Sequence, residues 1–314
     1  MENKIQLLKP RNFGDVMNET FAFAKEVFKP LLQVILYVVF PVLIVGSYFY
    51  SRYMSSIFSI MGNTDPYAAQ SAIRNSAANI FLGMGGIMLA SILLYLAVVA
   101  TFLKYEASED GNLTASDILS GMKKDFLSFI GFIVVFTIVL SVSMVLLIGL
   151  VIAVFSFGGK VGGVLLGIAM FFGFFYLMIT MAFTPFIYMR ERNGILEAIS
   201  RAFYLIKGHW WQTLGIFFAT YMVVYLASLV FIIPFYAIFF TGIMHGVKNG
   251  GAPSFEMGTW GTVSMMFMFC GMFVLSSLIN MSFVVQYYSL VERKDGVDIM
   301  QQIENLGTTE TPQA

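Results

Sequence analysis

Side chains able to do chemistry are sparse in this chain, and they gather in one stretch. Arg190, Arg192, Arg201 and Lys207 lead into His209, Trp210 and Trp211. Cations followed by indole rings suit contact with anionic lipid headgroups or with an acidic partner. Each basic group near a membrane surface contributes about 1 kcal/mol to such contact, and tryptophan anchors at headgroup depth. The same charges have a plainer use, which is to set the topology of a membrane chain. Both readings stand at the level of sequence.

Other chemistry lacks its parts. His209 and His245 are expected on opposite sides of a membrane, and no zinc-type spacing surrounds either. No Gly-x-x-x-x-Gly-Lys-Ser/Thr loop is present to cradle a phosphate. Ser91, Ser141, Ser143, Ser276 and Ser277 lie in apolar runs with no base nearby, and are expected to hydrogen-bond between helices. Asn280 and Gln286 are expected to bond a neighbouring helix in the same way. The acids sit in polar turns. Neither an enzyme nor a cofactor is expected. Asn18-Glu19-Thr20 and Asn112-Leu113-Thr114 match a glycosylation sequon, but both fall on the side expected to be cytoplasmic.

Composition places these residues in a membrane. Of 314 residues, 58% are hydrophobic and 11% charged, and the mean hydropathy is +0.81. Soluble domains carry about 25% charged residues. Net charge is zero, so nothing draws the chain to nucleic acid. Cys270 is the only cysteine, which excludes an intrachain disulfide. The polar leader has no apolar core of a cleavable signal peptide, so the first span is expected to act as the insertion signal.

Runs of about 20 apolar residues can span a bilayer. Six occur, at 31–50, 80–102, 126–157, 164–188, 213–240 and 260–285, and none holds Asp, Glu, Lys, Arg or His. Pro41 is expected to kink the first; Pro185 and Pro234 lie in the fourth and fifth. Residues 51–79 are expected to form a polar loop, 158–163 a glycine turn, and 241–259 a glycine-rich loop. Gly163 and Gly167 are four apart and would admit a neighbouring helix.

Between spans the chain repeats one pattern: a charged turn, then an acid followed by aliphatic residues. It appears at Arg11 to Asp15-Val16-Met17, Tyr105-Glu106 to Asp117-Ile118-Leu119, Tyr188 to Glu197-Ala198-Ile199, and Tyr288 to Asp298-Ile299-Met300. Amphipathic surface helices are expected at 13–28, 115–124 and 195–207, with a short stripe of Ile299, Met300, Ile303 and Leu306 in the tail. In the cleanest, Ile195, Leu196, Ile199, Ala202, Phe203 and Ile206 form the apolar face. Three units follow, at 1–103, 104–188 and 189–285, with a tail at 286–314. Fourteen Lys and Arg fall on the side of the termini and four on the other, so both termini are expected to be cytoplasmic. The expected fold is all-α: a polytopic membrane helix bundle of six transmembrane helices with four cytoplasmic amphipathic surface helices and a threefold parallel repeat.

The Glu191-Arg192-Asn193-Gly194 turn, the run Leu205-Ile206-Lys207-Gly208, and Trp210-Trp211-x-Thr213-Leu214-Gly215 carry a resemblance. They resemble the six-span membrane domain that precedes the catalytic barrel in some bacterial glycerophosphodiester phosphodiesterases, and related stand-alone membrane proteins. Phe13-Gly14-Asp15 and Tyr287-Tyr288 to Glu292-Arg293 fit the same pattern. The resemblance implies the bacterial cytoplasmic membrane. Such a barrel needs about 250 residues, and the residues after the sixth span are too few, so the phosphodiesterase activity is not expected to carry over. The expectation is an accessory or scaffold subunit that offers its surface helices to membrane lipids or to a protein partner. The alternative is a transporter or channel for a neutral or lipid-like solute.

Overall fold

The computed structural model describes residues 4–61, 66–157, 159–248 and 258–296, which are helical almost throughout. Six helices are long and apolar enough to cross a membrane: Phe28–Phe58, Ser76–Ala107, Ala115–Gly149, Val164–Glu191, Trp210–Met244 and Thr259–Asp295. The tail stripe at 299–306 lies outside the described residues.

The recurring acid-aliphatic pattern has a local cause. Helix α1 (Phe13–Glu26) starts at Asn12, whose side chain accepts from the Asp15 amide at 3.0 Å while the Asp15 carboxylate accepts from the Asn12 amide at 3.3 Å. This reciprocal pair satisfies two orphan donors of the first turn. The long helix Ala115–Phe157 starts likewise, with Thr114 and Asp117 exchanging bonds of 3.0 and 3.3 Å. At the helix Ile195–Ile206 the first residue of the pair is Gly194, so only the acid acts: Glu197 accepts from the Gly194 amide at 3.2 Å. In each case the residue after the acid, Val16, Ile118 or Ala198, is fully buried. The acid starts the helix and its neighbour docks it.

The first span is built of α2 (Phe28–Val34), a π-helical turn at Ile35–Val39, and α3 (Phe40–Met61). The wide turn directly precedes Pro41, which has no N–H and whose ring would meet the carbonyl four residues back. Helix α4 (Pro66–Ala107) pairs with α3. The loop expected at 51–79 is helix on both sides of residues 62–65, and Pro66 stands at the first position of α4, where its missing N–H costs no intrahelical bond.

The surface helix expected at 115–124 and the span after it form one helix, α5 (Ala115–Phe157). Asp125, which marked the boundary in sequence, is 6% exposed and paired with Arg192 at 2.8 Å, so its charge does not interrupt the helix. The buried stripe is Ile118, Met122, Asp125, Phe129 and Phe132, while Phe126 faces out. The turn expected at 158–163 is also shorter, since α6 (Gly159–Met181) is helical from Gly159. The fourth span then breaks, and α7 (Thr184–Glu191) resumes with Pro185 in its first turn, where no intrahelical bond is lost. Helices α8 (Ile195–Ile206), α9 (Trp210–Lys248, with Pro234 inside it) and α10 (Thr259–Asp295) complete the chain. The loop expected at 241–259 thus begins no earlier than 249, where the description stops.

Close approach is concentrated in two places. At the α3–α4 crossing, a Cβ on Gly86 would lie 2.6 Å from the Gly46 Cα, and one on Gly83 would lie 2.6 Å from the Tyr50 backbone. At the α9–α10 contact, Gly271 lies directly under the Phe231 ring. Gly167, singled out in sequence, meets nothing: a Cβ there would have no neighbour within 4 Å. The side-chain environment of Gly163 lies outside the description.

Candidate functional site

Three of the charged turns meet at one end of the bundle, called here the charged end. Arg190, near the end of α7, forks onto Glu106 at the end of α4, with Nη2 donating to Oε1 at 2.6 Å and Nε to Oε2 at 3.1 Å. Its Nη1 donates to the Tyr287 hydroxyl at 3.1 Å, and the guanidinium stands 4.8 Å from the Tyr288 ring centre. The Tyr288 hydroxyl donates to Glu106 at 2.7 Å, and the Tyr287 hydroxyl donates to Glu191 at 2.7 Å. Arg201 of α8 then bridges Glu191 and Asp295. One continuous network ties α4, α7, α8 and α10.

Below it lies an aromatic floor. Phe23 stacks on Phe102 at 4.1 Å, and Phe186 meets Tyr287 edge-on at 5.0 Å; Tyr105, Tyr287 and Tyr288 are fully buried. The leader is sewn into the same end. Lys4 donates to the Glu106 carbonyl, the Tyr105 hydroxyl accepts from the Ile5 amide at 2.8 Å, and the Ser289 hydroxyl accepts from the Arg11 amide at 2.8 Å. Bidentate Arg–carboxylate pairs combine charge with fixed geometry. Here each acid and each guanidinium already has a partner. This arrangement clamps helices together.

The basic cluster read from sequence is therefore divided. Arg190, Arg192 and Arg201 are spent on Glu106, Asp125, and the Glu191–Asp295 pair. Lys207 is exposed. His209 is half-buried, and burial first, then the positive Arg293 and Lys294, hold its imidazole below the usual value. Trp210 stacks on Tyr176 at 5.7 Å, whereas Trp211 is 78% exposed. His245 is 36 positions from His209, near the far end of α9, roughly 50 Å away at 1.5 Å per residue.

The apolar face expected for α8 is rotated. Ala198, Ala202, Leu205 and Ile206 are buried, Ile195, Ile199 and Phe203 are half-buried, and Leu196 is 72% exposed. Helix α1 likewise turns Val16, Thr20, Phe23 and Val27 inward, against α9 and α10 among others. Both helices bury their apolar faces in their own bundle.

The span serines behave differently from expectation. Ser91, Ser143, Ser276 and Ser277 donate to carbonyls three or four residues back in their own helices, which satisfies the hydroxyl without a partner helix. Gln286 does bond across helices, its amide donating to the Thr213 hydroxyl at 3.1 Å. Asn280 instead lines a cavity of about 490 Å³ between α4, α5, α6, α7 and α10, walled by Tyr95, Phe136, Met144, Leu177 and Phe283. Among the described residues, no side chain bonds its amide.

Sequence reading missed Glu106, Tyr105, Tyr287 and Tyr288 as members of the clamp. Their signal was present in the recurrence of tyrosine and acid at the ends of the second, fourth and sixth spans. Among the described residues, no three His, Cys, Asp or Glu side chains gather as a metal site requires. Comparison of the chain with protein-family models, curated proteins and solved structures found no match.

Proposed function

We propose that the chain is a non-enzymatic scaffold or accessory subunit of the bacterial cytoplasmic membrane, and that it docks a membrane-spanning partner on its third and fourth spans. In this reading the charged end faces the cytoplasm, as fourteen of eighteen Lys and Arg on that side would require. The capped helices α1, α8 and the start of α5 are cytoplasmic elements of a threefold parallel repeat. The resemblance to the membrane domain of bacterial phosphodiesterases supports the same placement.

One observation carries the proposal. Residues 141–146 of α5 are all exposed, and six successive residues go once and two-thirds around a helix. Every side of that segment is therefore at least partly open, even where Met144 borders the Asn280 cavity. Residues 171–174 of α6 complete a full exposed turn beside it. The exposed side chains include Val142, Met144, Val145, Leu146, Phe171 and Phe172. An apolar patch of this extent marks a membrane or partner surface. The Asn280 amide in the adjoining cavity adds preference for a partner helix, because an amide in an apolar setting gains from a hydrogen bond across helices.

A second reading, a carrier for a neutral or lipid-like solute, draws support from that same cavity. Photo-crosslinking from Val145 and Leu146 in native membranes, followed by mass spectrometry of the adducts, separates the two. A single protein adduct in stoichiometric yield is the expected result. Adducts to lipid alone, from both positions, would sink the scaffold reading and favour the carrier.

A further inference from the structure

We infer that the groove between the start of the first span and α10 is a binding site for one anionic glycerophospholipid, with its phosphate at Lys25 and an acyl chain along the trough. The groove encloses about 380 Å³ and shares no lining residue with the Asn280 cavity. Leu31, Leu32 and Ile35 form one wall, and Leu275, Leu278 and Met281 of α10 form the other. The Ser277 hydroxyl in the lining is already bonded to the Val274 carbonyl at 2.6 Å, so it offers the occupant little polarity.

Lys25 stands at the rim, in the last turn of α1, where the span begins. It is exposed, and among the described residues it has neither an ion pair nor a side-chain hydrogen bond. Lys29, four residues on, is exposed and unpaired in the same sense. The adjacent Glu26 carboxylate accepts from the Tyr105 hydroxyl at 2.7 Å. Charge complementarity therefore selects the occupant. The arginines that drew attention in sequence are neutralised within the protein, while Lys25 stands free at the rim of an apolar trough and Lys29 is free four residues on. A lipid of net negative charge satisfies both halves of the site. A zwitterionic lipid fills the trough but sets its own cation beside Lys25.

The test uses the full-length protein in detergent, with dioleoylphosphatidylglycerol and dioleoylphosphatidylcholine added in equal amounts and retention read by native mass spectrometry. Wild type is expected to keep one phosphatidylglycerol in preference. Each lysine near a surface is worth about 1 kcal/mol, roughly fivefold, so K25Q should reduce the preference about fivefold and K25Q/K29Q by up to about 25-fold. L278W, which blocks the trough, should abolish retention of both lipids, and K123Q, at an exposed lysine outside the groove, should change nothing. Helical circular dichroism of each variant checks folding, and the exposed lysines make K25Q/K29Q the safe arm. Equal retention of the two lipids by wild type, or undiminished selectivity in K25Q/K29Q, would overturn the assignment. Neither result depends on whether α5 and α6 dock a partner.

Discussion

The charged end of this bundle and the outer halves of α5 and α6 are made from nearly the same stock of apolar helix, yet they differ in how they are held. At the charged end, four helices and the leader share one network of ion pairs, tyrosine hydroxyls and backbone carbonyls, laid over buried rings. In the α5–α6 wing, whole turns are exposed. The third span buries 6% of its most apolar stretch inside the protein, and the second buries 50%. Hydrophobicity thus assigns a helix to the membrane without deciding what it packs against. Fixed geometry comes from directional contacts: bidentate pairs at one end and glycine crossings along α3 and α4.

The largest effect should come from unlocking the charged end. Removing one partner of a buried ion pair costs about 3–5 kcal/mol. The Arg190 and Glu106 side chains are 19% and 32% exposed, so R190A should lose about 3 kcal/mol, at the lower edge of that range. Thermal unfolding in detergent reads the loss. The double variant E106A/R190A should lose less than the sum of the single variants, as coupled partners do. Additive losses would show that the two groups act separately.

A smaller effect separates the two regions by packing alone. G86L drives a side chain into the Gly46 backbone, and overpacking of this kind costs about 1–3 kcal/mol. G167L in α6 meets open space and should stay within about 0.5 kcal/mol of wild type. Equal losses at both positions would mean that the wing is as tightly packed as the core.

The smallest effect is a pH dependence confined to the charged end. His209 has its folded-state pKa held below the usual 6.5 by burial and by the nearby Arg293 and Lys294. The unfolded chain therefore binds more protons between the folded value and 6.5. Stability is complete above 6.5 and falls as pH drops through the folded value. H209Q should flatten this shallow slope in a melting series, and an unchanged slope would assign it to other groups.

Much of the helix inventory was legible in sequence because it rests on local rules. An apolar run of sufficient length must be helical in lipid, where every backbone donor needs a partner within its own segment. The acids Asp15, Asp117 and Glu197 announce helix starts because a carboxylate three residues into a helix satisfies exposed amides. The differences at 115–126 and 51–79 have local causes: Lys123, Lys124 and Asp125 do not interrupt α5, and Pro66 is accommodated at the first position of α4. What tertiary structure alone decided is which charges remain free. Arg190 is 84 residues from Glu106, and Tyr288 is 182 residues from it. No periodicity encodes such pairings, since they depend on which helix ends come within 3 Å when the spans assemble. The same assembly turned the apolar faces of α1 and α8 inward and left Lys25 and Lys29 uncommitted. A row of cations in sequence states a charge; only packing shows whether an acid already holds it.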